Sequence, residues 1–122
     1  MSDEVRTLAG ATVYVCAADG PKLDGERAAV DVIGCSYASR PAVVAIPVAC
    51  LAPHFLTLSN RVAGNAIQKF VNYGVAVAFV GDISGAVAAS KALRDFVRES
   101  NRGRHVWFVA DMAELEAKLA TQ

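Results

Sequence analysis

The chain has 122 residues, of which 54% are hydrophobic, and its mean hydropathy is +0.35. This length suffices for one domain, residues 1–122, that closes a single hydrophobic core without metals or disulfides. Twelve basic residues balance twelve acidic ones, so neither nucleic acid nor an anionic membrane is expected as a partner.

The first half of the chain predicts a hairpin, a helix and a buried strand. Ala9 and Gly10 separate residues 5–8 from residues 11–17, and the second segment is rich in β-forming residues, which favours an opening hairpin. Apolar residues then recur at helical spacing from residue 25 or 26 to residue 37. Residues 42–46 are continuously apolar, as strands covered on both faces are.

The second half predicts a loop, three helices and two more strands. Residues 50–58 read as a loop, and Ser59 and Asn60 are expected to cap a helix that ends at Gly74. Residues 75–80 predict a strand covered on both faces, residues 90–101 a helix and residues 106–109 the last strand. Asp111 and Glu114 have capping-box spacing ahead of a final helix to about residue 119.

This order of elements predicts an α/β fold, with a mixed sheet of about five strands flanked by about four helices. Strands joined by a crossover helix are usually parallel, whereas the opening hairpin is antiparallel. In such sheets ligands bind beyond the carboxyl ends of the parallel strands. We therefore expect residues 47–60, 81–90 and 110–111 to meet at a common mouth.

Cysteine usage and the absence of targeting signals point to a soluble cytoplasmic protein. Cys16, Cys35 and Cys50 are odd in number and lack CxxC spacing, so neither a disulfide framework nor a zinc site is expected. Residues 1–4 are acidic, unlike a signal peptide, and prolines break the longest uncharged stretch, residues 41–60. No membrane span is expected.

The helix predicted over residues 90–101 contains a concentration of charge. Five of the twelve basic residues of the chain lie between Ser90 and Arg104. Leu93 and Phe96 share one face at helical spacing, and the charged residues lie nearly opposite. This pattern is typical of a solvated helix face, but it also fits a docking surface for an acidic partner, because arginine is enriched at interfaces. The candidate partner-binding residues are Arg94, Arg98 and Arg102.

Three residues near the predicted mouth could carry acid-base or nucleophilic chemistry. Cys50 and His54 lie four residues apart and could form a thiolate pair, and His54 alone could transfer a proton near neutral pH. Asp82 follows a strand and could act as a base with a raised pKa. The alternative is that Cys50 is a small buried hydrophobe, His54 a loop residue and Asp82 a turn cap.

Ligand-binding candidates lie on the same segments. Gly81 and Gly85 permit unusual backbone angles, but no phosphate-binding motif is present, and a turn followed by a helix cap is the alternative. Trp107 and Phe108 point to opposite sides of the last strand, so one of them is expected to be exposed at a contact surface. The ligand-binding candidates are Pro47, Phe55, Ser59, Asn60, Gly81, Ser84 and Ser90.

Residues 64–109 resemble a bacterial family known as domain of unknown function 4180. The resemblance rests on "QKFVNYGVAVAFVGD" and "SKALRDFVRESNRGRHVWFV", and it extends more weakly through "DVIGCSYA". Members of that family are similar in layout to STAS-like domains, which are small mixed sheets flanked by helices. The resemblance therefore implies a STAS-like fold and a regulatory or ligand-sensing role, with no reaction attached.

The chain departs from the family pattern in the loop after its first inner strand. Relatives carry carboxylates at five positions where this chain has none, so a role in cation binding or acid-base catalysis is not implied here. An apolar rim with one thiol and one imidazole replaces them, and such a rim suits an apolar ligand. The five positions are Val48, Ala49, His54, Thr57 and Asn65.

Two functions remain open from the sequence. One is a non-catalytic STAS-like module that self-associates and binds a small molecule or a partner protein. The other is a small enzyme of isomerase or cyclase type that moves a proton on an apolar substrate with His54, Cys50 or Asp82. A closed pocket around His54 would favour the enzyme, and a shallow surface beside the arginines would favour a partner. No cofactor is expected.

Overall fold

The computed structural model describes residues 3–20, 22–52, 54–57 and 61–121. The described residues form one five-stranded sheet with five α-helices and two short 3₁₀ turns, Tyr37–Ser39 and Val48–Cys50. The strands are β1 (Glu4–Leu8), β2 (Ala11–Val15), β3 (Val43–Pro47), β4 (Ala76–Val80) and β5 (Val106–Val109). The helices are α1 (Glu26–Ser36), α2 (Val62–Asn72), α3 (Ser84–Ala89), α4 (Lys91–Arg102) and α5 (Met112–Ala120).

The order of the strands in the sheet is their order in the chain, from β1 to β5. β1 pairs with β2 antiparallel, and each later pair is parallel. The predicted mixed α/β sheet is therefore confirmed. Every crossover moves the chain one strand in the same direction, and crossovers of one hand then place their helices on one face of the sheet.

Apolar residues cover both faces of the inner strands and form two cores. The first core contains Ile33 of α1 and Phe70 of α2, with Phe96 of α4 packed half-buried against it. The second core lies on the other face, where α5 contributes the fully buried Leu115. None of the helices in the described ranges combines the length and the apolarity that a bilayer crossing requires.

Trp107 and Phe108 do point to opposite faces of β5, but the expectation that one of them is exposed is wrong. Trp107 belongs to the second core and Phe108 to the first, and their exposed fractions are 3% and 8%. The Trp107 Nε1–H donates to the Gly103 carbonyl oxygen at 2.9 Å, so its one polar group is satisfied. Helices on both faces of the sheet leave no open side at β5.

Two helix caps follow the sequence pattern. The Ser90 hydroxyl accepts a hydrogen bond from the Leu93 N–H at 3.2 Å, which places Ser90 at the N-cap of α4. Asp111 caps α5 by accepting from the Glu114 N–H at 2.9 Å, and the Glu114 carboxylate accepts from the Ala110 N–H at 2.6 Å. These bonds satisfy amide groups that have no partner inside the helix.

Two other helix starts differ from those that the sequence pattern predicts. Ser59 and Asn60, expected to cap α2, lie outside the described residues, and the N-cap position is Arg61 with a positive φ of 63°. The residues after β4 form the short helix α3 rather than only a turn, and Gly85 lies within that helix. A run of small residues carries little helical periodicity, which explains why α3 was missed.

Gly81 joins the end of β4 to the segment that follows β3. Its φ is 146°, and a Cβ atom at this position would lie 2.8 Å from the Val48 Cβ. Only glycine permits both the backbone angle and the close approach. The two trailing segments are therefore held in contact at their first residues.

We expect Gly81→Ala and Gly85→Ala to have opposite effects on stability. Gly81→Ala should lower the free energy of unfolding by about 1–3 kcal/mol, because the new Cβ meets Val48 at a strained backbone angle. Gly85 lies in α3 with no heavy atom within 4 Å of a Cβ, so alanine there should raise stability by up to about 1 kcal/mol. Urea unfolding of both variants measures the difference, and equal effects would contradict the assigned contact.

Candidate ligand-binding cleft

The segments that follow β3 and β4 begin side by side at one edge of the sheet. Pro47, the last residue of β3, pairs in parallel register with Val80, the last residue of β4. The Gly81 amide then donates to the Val109 carbonyl oxygen at 2.9 Å, which brings the end of β5 to the same place. The three parallel strands therefore end at one edge of the sheet.

An apolar cleft of about 510 Å³ lies at this edge. Its volume falls in the range of about 300–1,000 Å³ that is typical of small-molecule sites. The first wall comes from the segment after β3, which leaves the sheet through the 3₁₀ turn at Val48–Cys50. The side chains of this wall are Val48, Leu51, Ala52, Leu56 and Thr57.

The second wall of the apolar cleft comes from α3 and the first turn of α4. Small side chains dominate this wall, and they leave the space that the cleft occupies. None of the described residues that line either wall carries a charge, and the lining hydroxyls belong to Thr57 and Ser90. The side chains of the second wall are Ala86, Ala89, Ser90, Ala92 and Leu93.

A row of aromatic rings supports the loop that forms the first wall. The Phe55 ring centroid lies 5.7 Å from that of Phe79, and the Phe79 centroid lies 5.1 Å from that of Phe108. Phe55 and Phe79 are fully buried. Phe55, a ligand-binding candidate from the sequence, thus anchors the loop in the first core, and its side chain does not line the cleft.

The structure turns Cys50 away from the apolar cleft. The Cys50 thiol donates to the Ala17 carbonyl oxygen at 3.0 Å and lies 3.4 Å from that of Ala18. Burial raises the pKa of this thiol, which keeps it protonated at neutral pH. His54 is exposed and is not among the residues that line the cleft. The geometry therefore does not place a Cys50–His54 pair at the mouth.

Asp82 is exposed, and its pKa is shifted in the direction opposite to the predicted one. Its Oδ1 accepts a hydrogen bond from the Ser84 N–H at 2.8 Å. Hydrogen bonds from the Ser84 side chain and backbone lower the pKa of Asp82, because they stabilise the ionised carboxylate. The hypothesis of a base with a raised pKa is therefore wrong. Gly81, Asp82 and Ser84 line a separate open recess of about 290 Å³ with Ala110.

The three cysteines of the chain line one cavity, which sequence spacing did not reveal. This thiol cavity has a volume of about 160 Å³ and lies between the end of β2, α1 and the 3₁₀ turn after β3. Burial, the largest cause, raises the pKa of Cys16 to about 12, whereas Cys35 is exposed. Within the described ranges no group of three or more His, Cys, Asp or Glu side chains could hold a metal ion.

The arginines of α4 lie in solvent, and two of them have carboxylate partners on the same helix. Arg98 Nη2 lies 2.9 Å from Asp95 Oδ1, and Arg102 Nη1 lies 3.3 Å from Glu99 Oε1. Such exposed pairs contribute little to stability, about 0.3–0.5 kcal/mol each. This arrangement fits the solvated-face interpretation. A docking role for Arg94, Arg98 and Arg102 stays a prediction.

The cleft lies on two of the segments predicted from the sequence, but most of its lining side chains are not among the predicted ligand-binding residues. Of the ligand-binding candidates, Ser90 lines the cleft, Gly81 and Ser84 line the neighbouring recess, and Pro47 ends β3 beside them. Ser59 and Asn60 lie outside the described residues. The other lining residues are Val48, Thr57 and a set of alanines and leucines. Alanine, valine and leucine are common in any core and so give no functional signal.

Comparison with known proteins identifies a family but no individual relative. A family model described as a domain of unknown function (DUF4180) matches residues 8–119. That range contains the described elements from β2 to β5, the last residue of β1 and all of α5 but its last residue. The searches of curated proteins and of solved structures each found no match.

The three thiols should differ in their rate of alkylation in the folded protein. At neutral pH iodoacetamide should modify Cys35 first, because Cys35 is exposed and burial raises the pKa of both Cys16 and Cys50. At about pH 9 Cys16 should still label slowly, because burial raises its pKa to about 12 and keeps it protonated. Intact-mass analysis followed by peptide mapping gives the order, and labelling in urea, where all three should react alike, is the control. Fast labelling of Cys50 in the folded protein would contradict the assigned burial.

Proposed function

The chain belongs to the DUF4180 family, and from the geometry of its cleft we propose that it is a non-catalytic binding module for a small, uncharged, mainly apolar molecule. The observation that supports this proposal is the lining of the apolar cleft, where ten described residues contribute no charge. A ligand with a charged group would lose its hydration there without gaining an ionic partner. The cleft therefore favours ligands whose surface is mainly apolar.

Two hydroxyls give the apolar cleft limited polar recognition. The Ser90 hydroxyl already accepts from the Leu93 N–H, so its own proton remains available for donation. Thr57 lies on the opposite wall and is exposed. A ligand with one or two hydrogen-bonding groups on an apolar body matches this pair, because a few fixed polar groups usually orient a ligand in an apolar site.

The alternative of a small enzyme has less support. Proton transfer requires an ionisable group within hydrogen-bonding reach of the substrate. Of the three candidate residues, Cys50 bonds to backbone carbonyl oxygens, Asp82 accepts from the first amide of α3, and His54 does not line the cleft. No ionisable side chain of the described residues converges on the cleft, which favours binding over turnover.

We further propose that binding serves a regulatory role in the cytoplasm, as in STAS-like domains. The mixed sheet with an opening hairpin and crossover helices is similar in layout to those domains. The three free thiols suit a reducing compartment.

Filling the apolar cleft should weaken binding of an uncharged probe. Ala89→Leu adds a branched side chain to the second wall, so it should weaken binding of N-phenyl-1-naphthylamine at least about tenfold. Fluorescence titration of the probe measures the change, because its emission rises in apolar surroundings. The fold should survive, since Ala89 is exposed and helical.

Ala88→Leu is the matched control for this experiment. Ala88 is the neighbouring exposed residue of α3 and does not line the cleft, so leucine there should leave probe binding unchanged. Equal loss in both variants would point to a general effect on α3. Unchanged binding in Ala89→Leu, or no binding by the original protein, would refute the proposed site.

His54→Ala separates the binding module from the enzyme. Because His54 is exposed and does not line the cleft, the variant should keep both its melting temperature and its affinity for the probe. Thermal unfolding and the same fluorescence titration check these two expectations. A selective loss of probe binding with an unchanged melting temperature would return His54 to the site and support the enzyme.

A further inference from the structure

The two edges of the sheet differ in how their backbone groups are satisfied. At the β5 edge, the Asn101 side chain takes the place of a neighbouring strand. Its Oδ1 accepts from the Phe108 N–H at 2.7 Å, and its Nδ2 donates to the Phe108 carbonyl oxygen at 3.3 Å. The β5 edge is therefore closed to another chain.

The β1 edge has no such cover among the described residues. β1 is the first strand of the sheet and pairs only with β2, and four of its five residues are exposed. Ala9 and Gly10, with φ of 49° and 81°, form the two-residue turn that connects the strands. Val5 at the centre of β1 is 53% exposed, which is unusual for a valine in a strand.

The hydrogen bonds of β2 show which groups of β1 face outward. The Thr12 carbonyl oxygen accepts from the Ala42 N–H just before β3, and the Cys16 N–H donates to the Ala45 carbonyl oxygen of β3. The alternate residues of β2 therefore face β1. The residues of β1 alternate in the same way across the hairpin. In this register the N–H and C=O groups of Val5 and Thr7 point away from β2. These are the groups that a further strand would bond.

The charges of β1 select one way of pairing β1 with itself. Glu4 and Arg6 flank Val5 and form an exposed ion pair, with Arg6 Nη2 2.7 Å from Glu4 Oε1. In an antiparallel pairing centred on Val5, Glu4 lies opposite Arg6 of the second copy, twice by symmetry. A shift of the centre by one residue either way places Glu4 opposite Glu4 or Arg6 opposite Arg6, which is unfavourable.

We propose that a second copy of this chain docks on the β1 edge, with the two β1 strands antiparallel and centred on Val5. Val5 and its symmetry mate exchange two backbone hydrogen bonds, since their N–H and C=O groups point outward. The two Glu4–Arg6 pairs form across the interface, and the two sheets become one sheet of ten strands. The interface is small, so the dimer is reversible and its fraction rises with concentration.

A charge-swap series tests this pairing by sedimentation equilibrium on the full chain. Arg6→Glu places like charges opposite each other and should weaken dimerisation at least about tenfold. The double variant Glu4→Arg with Arg6→Glu restores opposite charges and should recover the dimer. Lys69→Glu is the control, because it makes the same change of net charge and breaks an exposed pair with Glu26 on the helices, away from β1.

Val5→Pro tests the backbone bonds independently of charge. The Val5 N–H is not used within the hairpin, so proline should leave the monomer folded, as circular dichroism checks, while removing the central bonds of the interface. A monomeric original protein at every concentration would overturn the proposal. A dimer that survives both Arg6→Glu and Val5→Pro would also overturn it, because the copies would then meet through another surface.

Discussion

Both faces of the inner strands are apolar, and this constraint shapes the rest of the structure. β3 buries four of its five residues, and all four residues of β5 are buried. Each face must therefore be covered, and a chain that adds strands in one direction places its crossover helices on one face. α5 then covers the other face at the end of the chain. The carboxyl ends of β3, β4 and β5 consequently meet at one edge.

The segments at that edge also carry few polar side chains, and this composition determines which ligands the cleft can bind. The loop after β3 needs an anchor in the first core, and Phe55 provides it through contact with Phe79. Gly81 allows the β4 segment to approach Val48 within a distance that no side chain would permit. A cleft built from such residues excludes charge, and its selectivity rests on shape and two hydroxyls.

Binding and self-association occupy different parts of the sheet. The apolar cleft lies at the ends of β3 and β4, whereas the open edge lies along β1, with β2 between them. A dimer formed through β1 therefore leaves the cleft of each copy accessible. The closed β5 edge, where Asn101 satisfies Phe108, makes association through the other side of the sheet unfavourable.

The sequence by itself determined the strands, the long helices and the edge at which a site could form. Periodicity and caps such as Ser90 and Asp111 are local signals, so they could be read without coordinates. Tertiary structure alone decided which side chains face the cleft, that Cys50 turns toward carbonyl oxygens, and that all three thiols share a cavity. Those facts depend on contacts between residues far apart in the chain, and no local pattern encodes the direction of a side chain within a loop.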